Sequence, residues 1–181
     1  MESLRGQLLV AGPTLLDPNF ARTVVLVLEH SDEGAMGLVL NRPVEATVGE
    51  AAPELSDVVD DEEHLFSGGP VQPSGVIVLA EFADPDDAAM LVVGGVGPLA
   101  ASADLHAIQV VDGRARAFAG HAGWGPGQLE AELERDDWIV EPARADDAFV
   151  SEAAGLWRAV LERKGGEYAL VARMPEDPRV N

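Results

Sequence analysis

Thr23-Val24-Val25-Leu26-Val27-Leu28, followed by Glu29-His30-Ser31-Asp32-Glu33-Gly34 and then Gly37-Leu38-Val39-Leu40-Asn41-Arg42-Pro43, is the stretch whose reading decides the fold. Val24 to Leu28 is apolar at every position and rich in β-branched side chains. A strand wet on one face alternates apolar and polar residues, whereas an uninterrupted run belongs to a strand buried on both faces. The middle block carries turn formers, so the stretch predicts a hairpin at the centre of the core, turning over Glu29–Gly34.

Outward from the hairpin, Gln7–Ala11 reads as a strand closed by Gly12-Pro13, with Phe20 as an apolar plug beneath the Asp17-Pro18 turn. Thr47–Ala52 predicts a helix of at most two turns before Pro53, and Asp60-Asp61-Glu62-Glu63 an exposed, mobile loop. Leu65–Ser67 and Val76–Ala80 predict strands joined through Gly68-Gly69-Pro70 and a second turn at Gln72–Gly75. Met90–Val93 predicts another strand, and Gly94–Pro98 a loop. Leu99–Val111 reads equally as helix or strand. Arg114–Gly120 alternates charged and apolar residues as a strand does. It runs into a glycine-rich turn, Gly120–Gly127, with Pro126 at the first position of a helix carrying Leu129 and Leu133 on one face. Trp138–Val140 returns as a strand. Ser151–Lys164 predicts the last long helix, with Ala153, Leu156, Trp157, Val160 and Leu161 as its apolar stripe, and Tyr168–Arg173 a further turn. The class is α/β in one domain, 1–181.

Charge bounds the partners. With 32 acidic and 12 basic residues the formal net charge is −20, which repels nucleic-acid phosphates and anionic lipid. Arg158, Arg163, Lys164 and Arg173 read as a solvated helix face. The chain has no cysteine, so disulfides and thiolate chemistry are excluded. No leader-like start and no apolar run of membrane-spanning length occur, which predicts a soluble, cytoplasmic protein.

Several blocks in one order carry a resemblance. They are Leu16-Asp17-Pro18-Asn19-Phe20-Ala21-Arg22-Thr23-Val24, Glu29-His30, Gly34-Ala35-Met36-Gly37-Leu38-Val39-Leu40-Asn41-Arg42-Pro43, Gly68-Gly69-Pro70, Gly120-His121-Ala122-Gly123-Trp124-Gly125-Pro126-Gly127-Gln128-Leu129-Glu130 and Trp138. Through them the chain resembles the AlgH/YqgE family of uncharacterised bacterial proteins. The resemblance implies one α/β domain with a central, largely antiparallel sheet, partly barrel-like, and helices packed on it. It implies no settled reaction. The family's frequent label of transcriptional regulator sits poorly with the charge and with the absence of any helix-turn-helix pattern. Leu28 stands where some members have a cysteine, and His121 where an aromatic is common, so a thiol-dependent role in those members has no counterpart here.

Candidate sites each carry two readings. Glu29-His30 with Asp32 and Glu33 offers a base and its carboxylate partner, or decorates a turn. Asn41 and Arg42 offer an amide and a guanidinium to a carboxylate or phosphate, or tie down local backbone. Gly68 and Gly69 open backbone amides to an anion, or make a tight strand connection. The Gly120–Gly127 turn, with His121, Trp124 and Gln128, places a helix N-terminus beside a pocket, or serves packing, with Gln128 and Glu130 capping nearby backbone. The spacing fits neither a P-loop nor a dinucleotide fingerprint, no nucleophile elbow occurs, and the four histidines are not at metal-ligand spacing, so no metal or cofactor is expected. Two functions follow: a non-enzymatic regulatory module binding a small molecule or a protein, or a small hydrolase or transferase using His30, Asn41 and His121 in one pocket.

Overall fold

The computed structural model describes residues 2–176. Strands β1 (Gln7–Ala11), β2 (Val24–Ser31), β3 (Gly34–Val39) and β4 (Pro43–Thr47) come first, followed by helix α1 (Val48–Ala51). Then come β5 (His64–Ser67), β6 (Val71–Phe82), β7 (Val96–Pro98) and β8 (Val110–Trp124). Helix α2 (Gln128–Glu134), β9 (Trp138–Pro142), α3 (Leu156–Lys164) and α4 (Glu167–Val171) complete the chain.

The nine strands form one sheet that does not close, in the order β4-β5-β8-β3-β2-β1-β9, with β6 and β7 branching from β8. Every pairing is antiparallel except β5 with β8. β8 is the junction: it pairs with β6 over Val110–His121, with β5 at Phe118 and Ala119, and with β3 at Ala122–Trp124.

The central hairpin is buried on both faces. Val24, Leu26 and Leu28 enter one core with Trp157, Val160 and Leu161 of α3, while Val25 and Val27 enter another with Trp124, Leu129 and Trp138 around α2. Alternate side chains of a strand point to opposite faces, so two cores demand an apolar residue at every position. Each such Val or Leu, fully buried, contributes about 1.5–3 kcal/mol. A third core lies under α1, whose N-cap Thr47 accepts from the Glu50 backbone N–H while the Glu50 side chain accepts from the Thr47 N–H.

Several expectations are corrected. The hairpin strands run through Glu29-His30-Ser31 and pair up to Ser31↔Gly34, leaving only Asp32-Glu33 as the turn. Gln72–Gly75 is no second turn but a bulged part of β6, with Gln72 at φ 47 and the register slipping between Val71 and Val76. Val76 is 42% exposed, so β6 is buried only from Val78 onward among its first apolar residues. Met90–Val93 is not a strand. The strand lies in the expected loop, at Val96–Pro98, because β6 offers its edge to those residues. Gly120–Trp124 belongs to β8, so the turn shrinks to Gly125–Gly127, and α2 starts at Gln128 with Gly127 as N-cap rather than at Pro126. The last long helix begins at Leu156, after a 3-10 turn at Ala153–Gly155. Arg116, on the charged side of the alternating strand, is buried. It donates through Nη1 to the carbonyls of Ala148 and Val150 and stacks 4.4 Å from the centre of the Phe66 ring.

The basic face of α3 is not uniformly solvated either. Arg163 makes a two-pronged ion pair with buried Asp147 (2.8 and 3.0 Å), which holds its guanidinium above the usual range. Lys164 donates to the Val140 carbonyl at 2.8 Å and so covers part of the outer edge of β9. Among the described residues no helix is long and apolar enough to cross a membrane.

Candidate functional site

The residues singled out in the sequence separate into four settings. His30 pairs with Ala35, and Ala35 with Trp124, in one register row, so the three side chains share a face of the sheet. His121, three residues before Trp124, points from the opposite face. The two histidines therefore lie on either side of the sheet, and the hydrolase pocket built from both is not assembled. His121 also stands away from α2, which packs on the Trp124 side.

His30 has both ring nitrogens engaged. Its Nδ1 accepts from the Leu4 backbone N–H at 3.0 Å, which leaves Nε2 to donate to Glu130 at 2.6 Å. With its side chain 2% exposed, the imidazole links the N-terminal segment, β2 and α2; it has no free lone pair with which to take a proton from a substrate. Glu130 pairs with His30 and also accepts from its own backbone N–H. The His30 hydrogen bond holds the Glu130 carboxyl below its ordinary 4.5, so the pair contributes stability above that pH that is lost as pH falls through the depressed value. Glu130→Gln should accordingly lower the unfolding midpoint at about pH 7, and the gap from the native chain should close on acidification from 4.5 through the depressed value. A gap that is constant across the titration would contradict the assignment.

Trp124 is a core residue. Its Nε1 and that of Trp138 both donate to Glu132 Oε2, at 2.7 and 2.9 Å, and Phe20 packs against both indoles with centroids 6.3 and 5.7 Å away. Gln128 spends its amide on the turn, accepting from the Gly125 N–H and donating to Glu132. Gly68 and Gly69 serve a backbone crossing: a Cβ on Gly68 would lie 2.3 Å from the Gly120 carbonyl oxygen, and one on Gly69 2.2 Å from His121 carbonyl carbon.

Asn41 and Arg42 lie elsewhere, at the end of the hairpin. Asn41 accepts from the Val24 N–H and donates to the Arg22 carbonyl, so its amide is committed to backbone. Arg42 donates to the carbonyls of Pro18, Asn19 and Ala21, which uses three of its five N–H groups. Burial lowers its pKa and the nearby Asp17 partly opposes this. These bonds set the shape of a cavity of about 410 Å³, whose wall includes Arg22, Asn41, Arg42, Trp157, Arg158 and Glu176. Arg42 and Gly69 also share a smaller hollow of about 230 Å³.

Three of the chain's 12 basic residues thus line one cavity in a protein of net charge −20, against one carboxylate among the described residues, Glu176. The Arg22 guanidinium stacks 4.4 Å from the centre of the Trp157 ring and donates to the Met174 carbonyl. Trp157 is itself fixed by donating to the Ala11 carbonyl at 2.9 Å. Arg158, on the first turn of α3, makes no hydrogen bond among the described residues. Like charges held together repel, and a cleft walled by one sign of charge focuses its field on an anion. Arg22, Trp157 and Arg158 were not legible as site residues, because nothing in their spacing joins the loop before β2 to the start of α3. The scarcity of basic residues is the one signal that could have drawn notice to Arg22 and Arg158, and it says nothing of Trp157. Among the described residues no cluster of three His, Asp or Glu side chains has metal-holding geometry.

A family model described as DUF179: AlgH-like matches residues 8–169. The chain belongs to the AlgH-like family. UPF0301 protein SCO2948 of Streptomyces coelicolor is 41% identical over 187 residues, covering all of this chain and 97% of its own length. UPF0301 protein CT0663 of Chlorobaculum tepidum is 41% identical over 180 residues, covering 97% and 95%. Among solved structures, the crystal structure of protein DIP2367 from Corynebacterium diphtheriae is similar with a TM-score of 0.84 and 30% identity, covering 95% of this chain and 93% of that one. The solution structure of the AlgH protein from Pseudomonas aeruginosa is similar with a TM-score of 0.69 and 30% identity, over 96% and 95%. Within this AlgH-like chain, the loop 17–22, Asn41 and Arg42 fall inside the matched region, and so do Trp157 and Arg158.

Proposed function

We propose that this AlgH-like protein is a non-enzymatic binding module of the cytoplasm that takes up a small carboxylate or phosphate among Arg22, Arg42 and Arg158 and acts in regulation through it. The observation that carries this reading is that three arginines line one cavity in a strongly acidic chain. Arginine's planar fork suits both oxyanions, and charge-assisted hydrogen bonds are about twice as strong as neutral ones. Catalysis has less support, since His30 is occupied at both nitrogens and lies across the sheet from His121. The same field that draws a small anion into the cavity is overwhelmed at longer range by the net charge, which opposes an extended polyanion such as DNA.

Calorimetric titration of inorganic phosphate and of citrate into the full chain tests the reading. At least one of them should bind, more weakly as salt is raised, and Arg158→Gln should weaken it about tenfold or more, equivalent to about 1.4 kcal/mol. Binding that is unchanged in the variant, or absent for both anions, would remove the cavity from consideration.

A further inference from the structure

The arginine cavity has a neighbour. A second cavity of about 730 Å³ is walled by Gly12, Pro13, Leu15, Leu16, Met174 and Pro175, and it shares Ala21, Arg22, Trp157 and Glu176 with the first. The two therefore meet at the stack of Arg22 on Trp157. Volumes of roughly 300–1,000 Å³ are usual for small-molecule sites. The walls differ in chemistry, with cations on one side of the stack and aliphatic side chains on the other. Leu16 and Met174 are 64% and 46% exposed, surface that a protein in water gains by covering.

We propose that the ligand is a single-chain amphiphilic anion, with a phosphate or carboxylate end among Arg22, Arg42 and Arg158 and an alkyl body lying beside the Arg22–Trp157 stack against Leu15, Leu16 and Met174. This rests on the anion-binding reading above and adds the other half of the molecule. Arg22 is the residue that spans both halves: it lines both cavities, with its guanidinium held at their boundary by the indole and the Met174 carbonyl. The ligand is a dissolved monomer and not a bilayer surface, because a net charge of −20 repels an anionic membrane as a whole while leaving one molecule free to enter the local positive field. Among the described residues Glu176 is the one acid in both walls. Its presence favours a head group offering a hydroxyl donor as well as anionic oxygens, as a phosphate monoester does when singly protonated.

The test titrates the full chain with methyl, butyl, hexyl and octyl phosphate below their micelle-forming concentrations, with octanol as the uncharged comparison. Affinity should rise about two- to fourfold per methylene, the upper value corresponding to full burial of a CH₂. Leu16→Ser should flatten that rise, whereas Leu170→Ser, at a residue 67% exposed and outside both cavities, should leave the whole series unchanged. Arg158→Gln should weaken every phosphate by a similar factor. Equal binding of methyl and octyl phosphate would overturn the two-part ligand and leave the anion reading standing. Octanol binding as tightly as octyl phosphate would overturn both, as would no binding by any phosphate. Binding only to vesicles containing phosphatidylserine, with no monomer bound, would overturn the proposal in favour of a membrane surface.

Discussion

Gly69→Ala is expected to leave little folded protein. Gly69 has φ +147, a backbone conformation that side chains rarely adopt, and a Cβ there would lie 2.2–2.5 Å from His121 C, His121 O and Ala122 N. All three are main-chain atoms of β8, so no rotamer change relieves the overlap. The chain must part where Phe66 pairs with Phe118 and Val71 with His121, which is the junction holding β5 and β6 to β8. The loss should exceed about 3 kcal/mol, above the range of most single substitutions. Urea unfolding together with soluble yield reads it. A variant within about 1 kcal/mol of the native chain would return the Gly68-Gly69 amides to consideration as an anion-binding nest.

Phe118→Ala should cost about 3–5 kcal/mol, the usual range for emptying a buried aromatic site. Phe118 is fully buried, lies opposite Phe66 on β5 and Ile77 on β6, and packs on the Phe66 ring with centroids 5.7 Å apart. The neighbours come from two strands, both locked to β8 by pairing, so they cannot collapse into the space. With m-values of about 1–3 kcal/mol per molar urea, the midpoint should fall by at least about 1 M. A shift of a few tenths of a molar would mean that β8 is not the core strand described above.

The two-faced burial of Val24–Leu28 was legible because it depends only on local periodicity, which uninterrupted apolar character states directly. Helix ends with a specific chemical stop, such as Gly165 after Lys164, were legible for the same reason. What failed was the reading of glycine-rich stretches as turns. Gly120–Trp124 lies in a strand because Gly120, at φ 74, passes against the backbone of Gly69 and Val71, and close approach of two chains needs glycine as much as a turn does. Sequence cannot separate the two uses, since the partner segment is about 50 residues away. The site was half legible. Asn41 and Arg42 were found from their place at the end of a buried strand, but their hydrogen bonds organise the cavity, and two of its three cations, Arg22 and Arg158, come from segments joined only by the fold.

The most direct check on the arginine cavity is the set of three indole N–H signals from Trp124, Trp138 and Trp157 in a ¹⁵N-resolved NMR titration with octyl phosphate. Trp157 lines both cavities, while Trp124 and Trp138 share Glu132 in a separate core. The account predicts that the Trp157 signal moves with saturation while the other two stay still. Movement of the Trp124 and Trp138 signals with Trp157 unaffected would contradict it.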